Sequence, residues 1–413
     1  MKQSVAILDF GTSKITVLIG SRGINNTISL DGIGMCNYDG YADGDFVAPE
    51  RVAAAVEQAV NAAESSAQLK VNKLFIGVPA DFSICRVNDV NMSLGKKRRV
   101  LDSDIDTLFE QGNIYADNAN YSVINIQPIY YTLDDELKLI DPVGLTSVRL
   151  GGSLSYILAR NDFISLVDAA VKNYGIPETE YLSAPLAEEL FLFDSHKRDN
   201  TVMFADVGAL STVLAIGRGD AICRQYYFAW GGNRITKALS EYLEIPWIVA
   251  EELKHNVILS LNPHYEEKRE DNRDDDVDND VPILRTQYII SVNKDNYEFD
   301  VDEVNNIVIG EIELFISLVE RALKACDYYY PEFAPLYITG GGLAMRGAVQ
   351  ALSTRLRRDV CEIKPRLPLF DNPKLSSALG VMDMVLNCEA DFVGFFGKIR
   401  RWLSKLRSTA GKE

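Results

Sequence analysis

The chain has 413 residues, 47% hydrophobic and 24% charged, with 28 glycines and 14 prolines; this globular balance allows two to four domains and excludes wholesale disorder or collagen-like character. A net charge of −17 argues against a general nucleic-acid binder. Six widely spaced cysteines without a CxxC pair and three scattered histidines exclude a disulfide scaffold, a zinc ribbon and histidine-centred metal chemistry.

Met1-Lys2-Gln3-Ser4 leads directly into a strand-like run with no signal-peptide pattern. No apolar stretch reaches the ~18 residues of a spanning helix, so a reducing, cytoplasmic setting is expected. Residues 4–20 place two β-rich runs around Gly11-Thr12-Ser13-Lys14, which predicts a hairpin. Residues 50–67 have helical spacing, and 74–78 reads as a short buried strand ended by Pro79. Residues 84–160 alternate strand-like runs with one helix near 102–113, which Asp102 or Ser103 would cap. An amphipathic helix follows over 163–174.

The opening pattern then returns. Residues 201–217 again read strand, Asp206-Val207-Gly208 turn, strand, about 197 residues after Asp9, which implies a duplicated domain. Residues 266–282 form a charged loop; from 266 to 280 it holds nine acids against three bases, and a solvated, disordered loop is expected. A long helix is predicted over 301–327. The strand at 336–339 meets Gly340-Gly341-Gly342 and then another helix. Residues 389–410 stand apart, and from 392 to 413 six bases face one acid.

A tight hairpin of small residues exposes backbone N–H groups that can cradle phosphate. Asp9 beside one suits a hydrated magnesium ion, and Lys14 suits phosphate charge. Alone, the hairpin equally fits an ordinary turn with a surface lysine. Asp206, Gly208 and Ser211 stand in the equivalent second place. Glycines at 340–342, before Met345, allow close backbone approach of a nucleotide at a helix start, or simply a tight turn. Neither GxGxxG nor a P-loop is present.

Together, two Asp-x-Gly hairpins and one strand–GGG–helix resemble the nucleotide-binding pattern of the actin and Hsp70 ATPase superfamily. The resemblance implies two α/β lobes with ATP in the cleft, and magnesium held through water by Asp9 and Asp206. Ala250-Glu251-Glu252-Leu253-Lys254 resembles the superfamily's AExxK helix, which implies Glu251 and Lys254 at the ribose and base. Within the superfamily, Asp141-Pro142-Val143-Gly144-Leu145-Thr146-Ser147-Val148-Arg149-Leu150 resembles the "NPxGMxGxRL" stretch of the bacterial cell-division FtsA family. Residues 123–131 fit that family's preceding strand, and Gly231-Gly232-Asn233-Arg234-Ile235-Thr236 resembles its "GGxxxT" helix start. The fold then implied is α/β: an actin-like two-lobed ATPase fold with an inserted small SHS2-type α/β domain and a C-terminal amphipathic helix. On this reading the first lobe is 1–83 with 163–198 and 366–388, and the insert is 84–162. The second lobe has a large subdomain, 199–231 with 326–365, and a small one, 232–325. The tail is 389–413.

In that tail Phe392, Phe395, Phe396, Ile399, Trp402, Leu403 and Leu406 fall on one helical face. Lys398, Arg400, Arg401, Lys405 and Arg407 fill the flanks, the pattern of a helix lying in an anionic membrane interface. Docking onto the body or into a partner groove is the alternative. The family resemblance implies membrane targeting, binding of the FtsZ C-terminal peptide near 232–325, self-association into actin-like filaments, contact with other division proteins, and a place on the cytoplasmic face of the membrane at the division site.

The chain departs from the family in two places. Asp206-Val207-Gly208-Ala209-Leu210-Ser211-Thr212-Val213 stands where the family reads DxGGGTxD. Ser183-Ala184-Pro185-Leu186-Ala187 carries Ala184 where active superfamily members often carry an acid before "PLA". Both predict weak nucleotide binding and slow hydrolysis or none, with no catalytic residue assigned and ATP as a structural ligand. The competing readings are an adaptor of another membrane machine, such as PilM-like pilus-assembly proteins, a relative with little or no nucleotide binding, and a sugar-kinase or chaperone-like enzyme.

Overall fold

The structure is a computed structural model that describes residues 4–23, 27–116, 118–259, 287–367 and 370–390. Both the acidic loop and the basic tail, including Phe392, Phe395, Phe396, Lys398, Ile399, Arg401, Trp402, Leu403, Lys405 and Leu406, lie outside the described residues.

Two five-stranded sheets share one topology. The first is built from β1 (Val5–Phe10), β2 (Lys14–Arg22), β3 (Ile28–Asn37), β6 (Lys73–Val78) and β11 (Glu178–Ser183), ordered β11-β6-β1-β2-β3. The second uses β12 (Val202–Val207), β13 (Thr212–Arg218), β14 (Ala221–Phe228), β17 (Leu336–Thr339) and β18 (Val360–Glu362), ordered β14-β13-β12-β17-β18. In each, three antiparallel strands meet two parallel ones, with the first strand as the junction. The repeat seen in the sequence is therefore a repeat of architecture. β1 and β12 read as near-continuous apolar runs because both faces of these central strands are covered; Ile7, Leu8, Phe204 and Ala205 are fully buried.

Between β3 and β6 lie a two-residue ribbon, β4 (Tyr41–Ala42) with β5 (Asp45–Phe46), and α1 (Pro49–Ala67). Pro49 suits the first helical position, where no N–H partner is lost. Val52, Val56, Ala59, Val60 and Ala63 recur at helical spacing and are buried.

The insert is a four-stranded antiparallel sheet, β7 (Ser83–Arg99), β8 (Tyr121–Leu133), β9 (Leu137–Leu139) and β10 (Thr146–Arg160), ordered β7-β10-β8-β9, with α2 (Asp102–Gly112) against it. Leu108, Phe109, Ile126, Leu154 and Tyr156 form its core. Neither Asp102 nor Ser103 caps α2. The helix begins at Asp102, and the Asp104 carboxylate accepts the Leu101 N–H at 2.8 Å, because a carboxylate one turn in can reach back to the chain before the first turn.

The chain returns through α3 (Asn161–Tyr174), β11, α4 (Ala184–Leu192) and α5 (Ser195–Arg198) into the second sheet. Between β14 and β17 stand α6 (Gly232–Tyr242), α7 (Trp247–Asn256), the ribbon β15 (Gln287–Val292) with β16 (Asp295–Asp300), and α8 (Val301–Ala325). Asp300 caps α8, accepting the N–H groups of Asp302 and Glu303 at 2.9 and 3.0 Å. Then come α9 (Ala348–Leu356) and α10 (Ser376–Ala390). α9 starts at Ala348, so the triple glycine does not open it; Gly342 packs instead against Gly232 at the start of α6.

α4 packs on α10 and also touches β13 and β14, so it bridges the halves. Glu189 on α4 is fully buried beneath Gly217 of β13, where any Cβ would overlap its carboxylate. Burial raises its pKa well above the carboxylate range, with nearby Arg198 opposing. The larger core joins first-half residues with Val202, Phe204, Ala215 and Ile222. The other core lies in the second half, where Trp230 stacks on Phe315 at 4.7 Å. Among the described residues, no helix is long and apolar enough to cross a membrane.

Candidate functional site

A cleft of about 330 Å³ opens between the two sheets, within the range of small-molecule sites. Asp9 and Asp206 sit at matching places in the two halves. Each is on the central strand near its C-terminal end, beside a parallel neighbour: Asp9 pairs with Gly77, and Asp206 with Thr339. The hairpin after each is closed by the same bond. Gly11 N–H donates to Lys14 O at 2.9 Å, and Gly208 N–H to Ser211 O at 2.9 Å.

The cleft brings together Asp9, Gly11, Thr12, Ser13, Lys14, Asp206, Gly208, Ser211, Gly232, Asn233, Glu251, Lys254, Gly340, Gly341 and Gly342. Two expected residues stand apart. Gly231 precedes α6 in extended backbone behind the second hairpin, where a Cβ would come 2.5 Å from Ala209 O. Met345 is 5% exposed and belongs to the second-half core; an apolar side chain three residues past the turn packs inward.

The glycines have distinct tasks. Gly340 adopts φ +83°, a left-handed conformation that side chains rarely accept. Gly342 N–H donates to Val207 O at 2.7 Å and Gly232 N–H to Gly208 O at 2.9 Å; a Cβ on Gly232 would lie 2.7 Å from Gly342 Cα. These turns are stacked backbone on backbone. At Gly341 a Cβ would meet the flexible Lys374 side chain instead.

Besides Glu251, four acids line the cleft. Asp9 accepts a hydrogen bond from Ser377 at 2.6 Å, and burial pushes its pKa up to about 6 against the pull of Ser377 and Lys14. Asp206 is raised by burial and by the charges of Asp9 and Asp81. Asp81 is pushed up to about 6 by burial, although Tyr41 and Ser211 both donate to it. Glu188, 1% exposed, is raised well above the carboxylate range by burial and by Asp206 and Asp9, and among the described residues its Oε1 has no hydrogen-bond partner. Burial lowers Lys14, with Asp9 opposing. Such a cleft is short of positive charge, which suits a polyphosphate only together with a cation. Among the described residues, no three metal-ligating side chains converge on one point; Asp9 and Asp206 fit an ion that keeps most of its water.

On the opposite wall Lys254 is buried and donates to both Glu251 oxygens at 2.9 and 2.8 Å and to Thr236 at 2.9 Å. Burial lowers Lys254. Burial alone would raise Glu251, but the hydrogen bonds from Lys254 and Thr236 outweigh it and hold the carboxyl below its usual range.

Sequence reasoning missed Asp81, Glu188 and Lys374. Asp81 follows Pro79 at the end of β6, a parallel strand beside β1, and the C-terminal ends of parallel strands are where sites form. Glu188 lies four residues after Ala184 on one helix. Helical side chains lean toward the N-terminus, so Glu188 reaches back over the turn where Ala184 lacks an acid.

Two family descriptions match the chain: "Cell division protein FtsA" over residues 203–380 and "SHS2 domain inserted in FTSA" over 83–158. Similar proteins include cell division protein FtsA of Neisseria meningitidis, 24% identical over 97% of both chains. The Escherichia coli K12 FtsA is 23% identical over 100% of this chain and 98% of its own. The Bacillus subtilis FtsA is 21% identical over 91% and 82%. Among solved structures, the PilM–PilN type IV pilus biogenesis complex aligns with a TM-score of 0.61 at 15% identity, covering 94% of this chain and 99% of that one. MreB5 of Spiroplasma citri bound to ADP aligns with 0.52 at 11% identity, covering 95% and 98%. These likenesses establish an actin-like fold with an SHS2 insert.

Proposed function

The chain belongs to the FtsA family of actin-like cell-division proteins, and from that premise we propose that it binds ATP with magnesium in its cleft and tethers FtsZ filaments to the cytoplasmic face of the membrane at the division site. The observation that carries the nucleotide half is the convergence of Asp9, Lys14, Asp206, Gly340–Gly342 and the Glu251–Lys254 pair on one cleft. Lys14 and the first hairpin would hold phosphate oxygens, Asp9 and Asp206 the hydrated magnesium, and Glu251 and Lys254 the ribose and base. When bound, magnesium would neutralise phosphate charge. With Ala184 and Leu210 in place, hydrolysis is slow or absent, and ATP acts as a structural ligand.

The membrane half rests on the sequence of the tail, whose Phe/Trp face and basic flanks suit an anionic bilayer. FtsZ docking falls to the region 232–325. Tyr242, Trp247 and Ile248 are exposed at the end of α6 and the start of α7, where a peptide can reach them. Self-association into actin-like filaments and contacts with other division proteins complete the proposal.

Co-sedimentation with anionic liposomes and purified FtsZ tests it, using the full chain and a chain ending at residue 390, each with and without ATP. The full chain is expected to carry FtsZ into the pellet and the shortened one is not, with Trp402→Glu behaving like the shortened chain. Pelleting of protein without FtsZ would assign the tether to another machine, and pelleting of the shortened chain would remove the tail from the mechanism.

A further inference from the structure

The second hairpin departs from a phosphate loop at Ala209, Leu210 and Ser211, and the structure shows what those side chains do. Leu210 packs against the larger core cluster, built mainly from the first half, while its strand neighbours Val207 and Leu214 belong to the second-half cluster. The Leu210 N–H donates to Thr12 Oγ1 of the first hairpin at 3.0 Å. The Ser211 hydroxyl donates to Asp81 at 3.1 Å. Asp81 also accepts from the Tyr41 hydroxyl, which sits 3.0 Å from the Tyr227 hydroxyl on β14. Thr12, Tyr41 and Asp81 are first-half residues; Leu210, Ser211 and Tyr227 are second-half residues. The back of the second hairpin is also engaged, since Gly208 O and Ala209 O accept from Gly232 and Asn233 at 2.9 and 2.8 Å.

We propose that this hairpin is a clasp between the halves: Leu210 and Ser211, bonded to Thr12 and Asp81 and supported by the neighbouring Tyr41–Tyr227 contact, hold the cleft shut through protein–protein contacts, so that closure does not require a nucleotide. In a phosphate-binding pair of hairpins the ligand joins the turns, because each aims N–H groups at shared oxygens. Here one of those N–H groups already has a hydroxyl oxygen from the opposite turn. An aliphatic side chain adds apolar burial across the gap, where glycine would leave room for phosphate. The buried Asp81 carboxyl, with donors from both halves, gives the contact direction that apolar packing lacks. The proposal deepens the reading of the cleft as a nucleotide site and rests on it only in its ligand arm.

Hydrogen exchange on the full chain tests the clasp, without nucleotide and with saturating magnesium and a non-hydrolysable ATP analogue. In the unmodified protein, amides of 9–14 and 206–212 are expected to exchange within about twofold of the same rate in both conditions. In Leu210→Gly, exchange without analogue is expected to quicken by at least about tenfold. Tyr41→Phe, which keeps the ring and removes only the hydroxyl, is expected to quicken it several-fold while circular dichroism stays unchanged. Free exchange in the unmodified protein that stops only when the analogue is added would overturn the clasp, as would wild-type exchange in both variants. Calorimetry separates the two ideas: no analogue binding, with protection lost in Leu210→Gly, removes the nucleotide reading and leaves the clasp standing.

Discussion

The two hairpins of this molecule share a frame and differ at their tips. Each lies after the central strand of a five-stranded sheet, carries one aspartate before it, and closes with a glycine N–H bonded to a carbonyl three residues on. The first holds Thr12, Ser13 and Lys14 over the cleft; the second also lines the cleft with Ala209 and Ser211, but turns Leu210 and the Ser211 hydroxyl to the other half. Strand pairing and one glycine fix the path of such a turn, so its tip residues are free to decide whether it faces a ligand or a neighbouring lobe.

Substitutions at matched positions break this comparison most strongly in the strands that carry the hairpins. Leu8, fully buried on β1, corresponds to Ala205 on β12. Leu8→Ala should cost about 2–5 kcal/mol in urea unfolding, whereas Ala205→Gly should cost roughly 1 kcal/mol. Equal costs would mean that the two sheets are not packed as described.

The aspartates sharpen it through pH. Asp9 has a folded-state pKa near 6 against 3.8 in its ordinary state. A raised acid binds protons more tightly in the folded chain, so stability falls as pH rises from about 4 to about 6, and the penalty is complete above that window. That penalty is on the order of 2–3 kcal/mol. Asp9→Asn should therefore raise the urea midpoint at pH 7.5 and leave it unchanged below pH ~4. Asp206→Asn should act in the same direction, because burial and its acidic neighbours raise Asp206 as well. A lower midpoint at pH 7.5 in either variant would show that the carboxylate is stabilised by groups other than those around it here.

The smallest effects belong to the tips. Lys14→Met should weaken binding of a magnesium–ATP analogue about tenfold, a loss of about 1.4 kcal/mol. Ser211→Ala, whose hydroxyl already serves Asp81, should change it less than about threefold. Reversal of that order in calorimetry would assign the phosphate to the second hairpin.

The duplicated halves were legible in the sequence because their signal is local: alternating apolar runs, an aspartate, a glycine. The insert and the two cleft walls followed from residues such as Asp141-Pro142 and Glu251–Lys254, once the family resemblance gave them a place. Asp81, Glu188 and Lys374 were not legible, since each reaches the cleft through packing between distant segments. Glu188 is the clearest case. Ala184 reads as a lost acid along the chain, yet a carboxylate one helical turn later occupies the same wall. Met345 erred the other way, for proximity to three glycines in sequence says nothing about which face a side chain takes. The cap of α2 failed by two residues because an acid inside the first turn did the work expected of one before it.

The burial of Glu189 beneath Gly217 also bears on how this chain can change over generations. A Cβ at position 217 would have to push the Glu189 carboxylate aside, so a replacement of Gly217 is best tolerated where residue 189 has already been shortened. The reverse order passes through an overpacked intermediate. The two positions are therefore coupled, and the order in which they change matters.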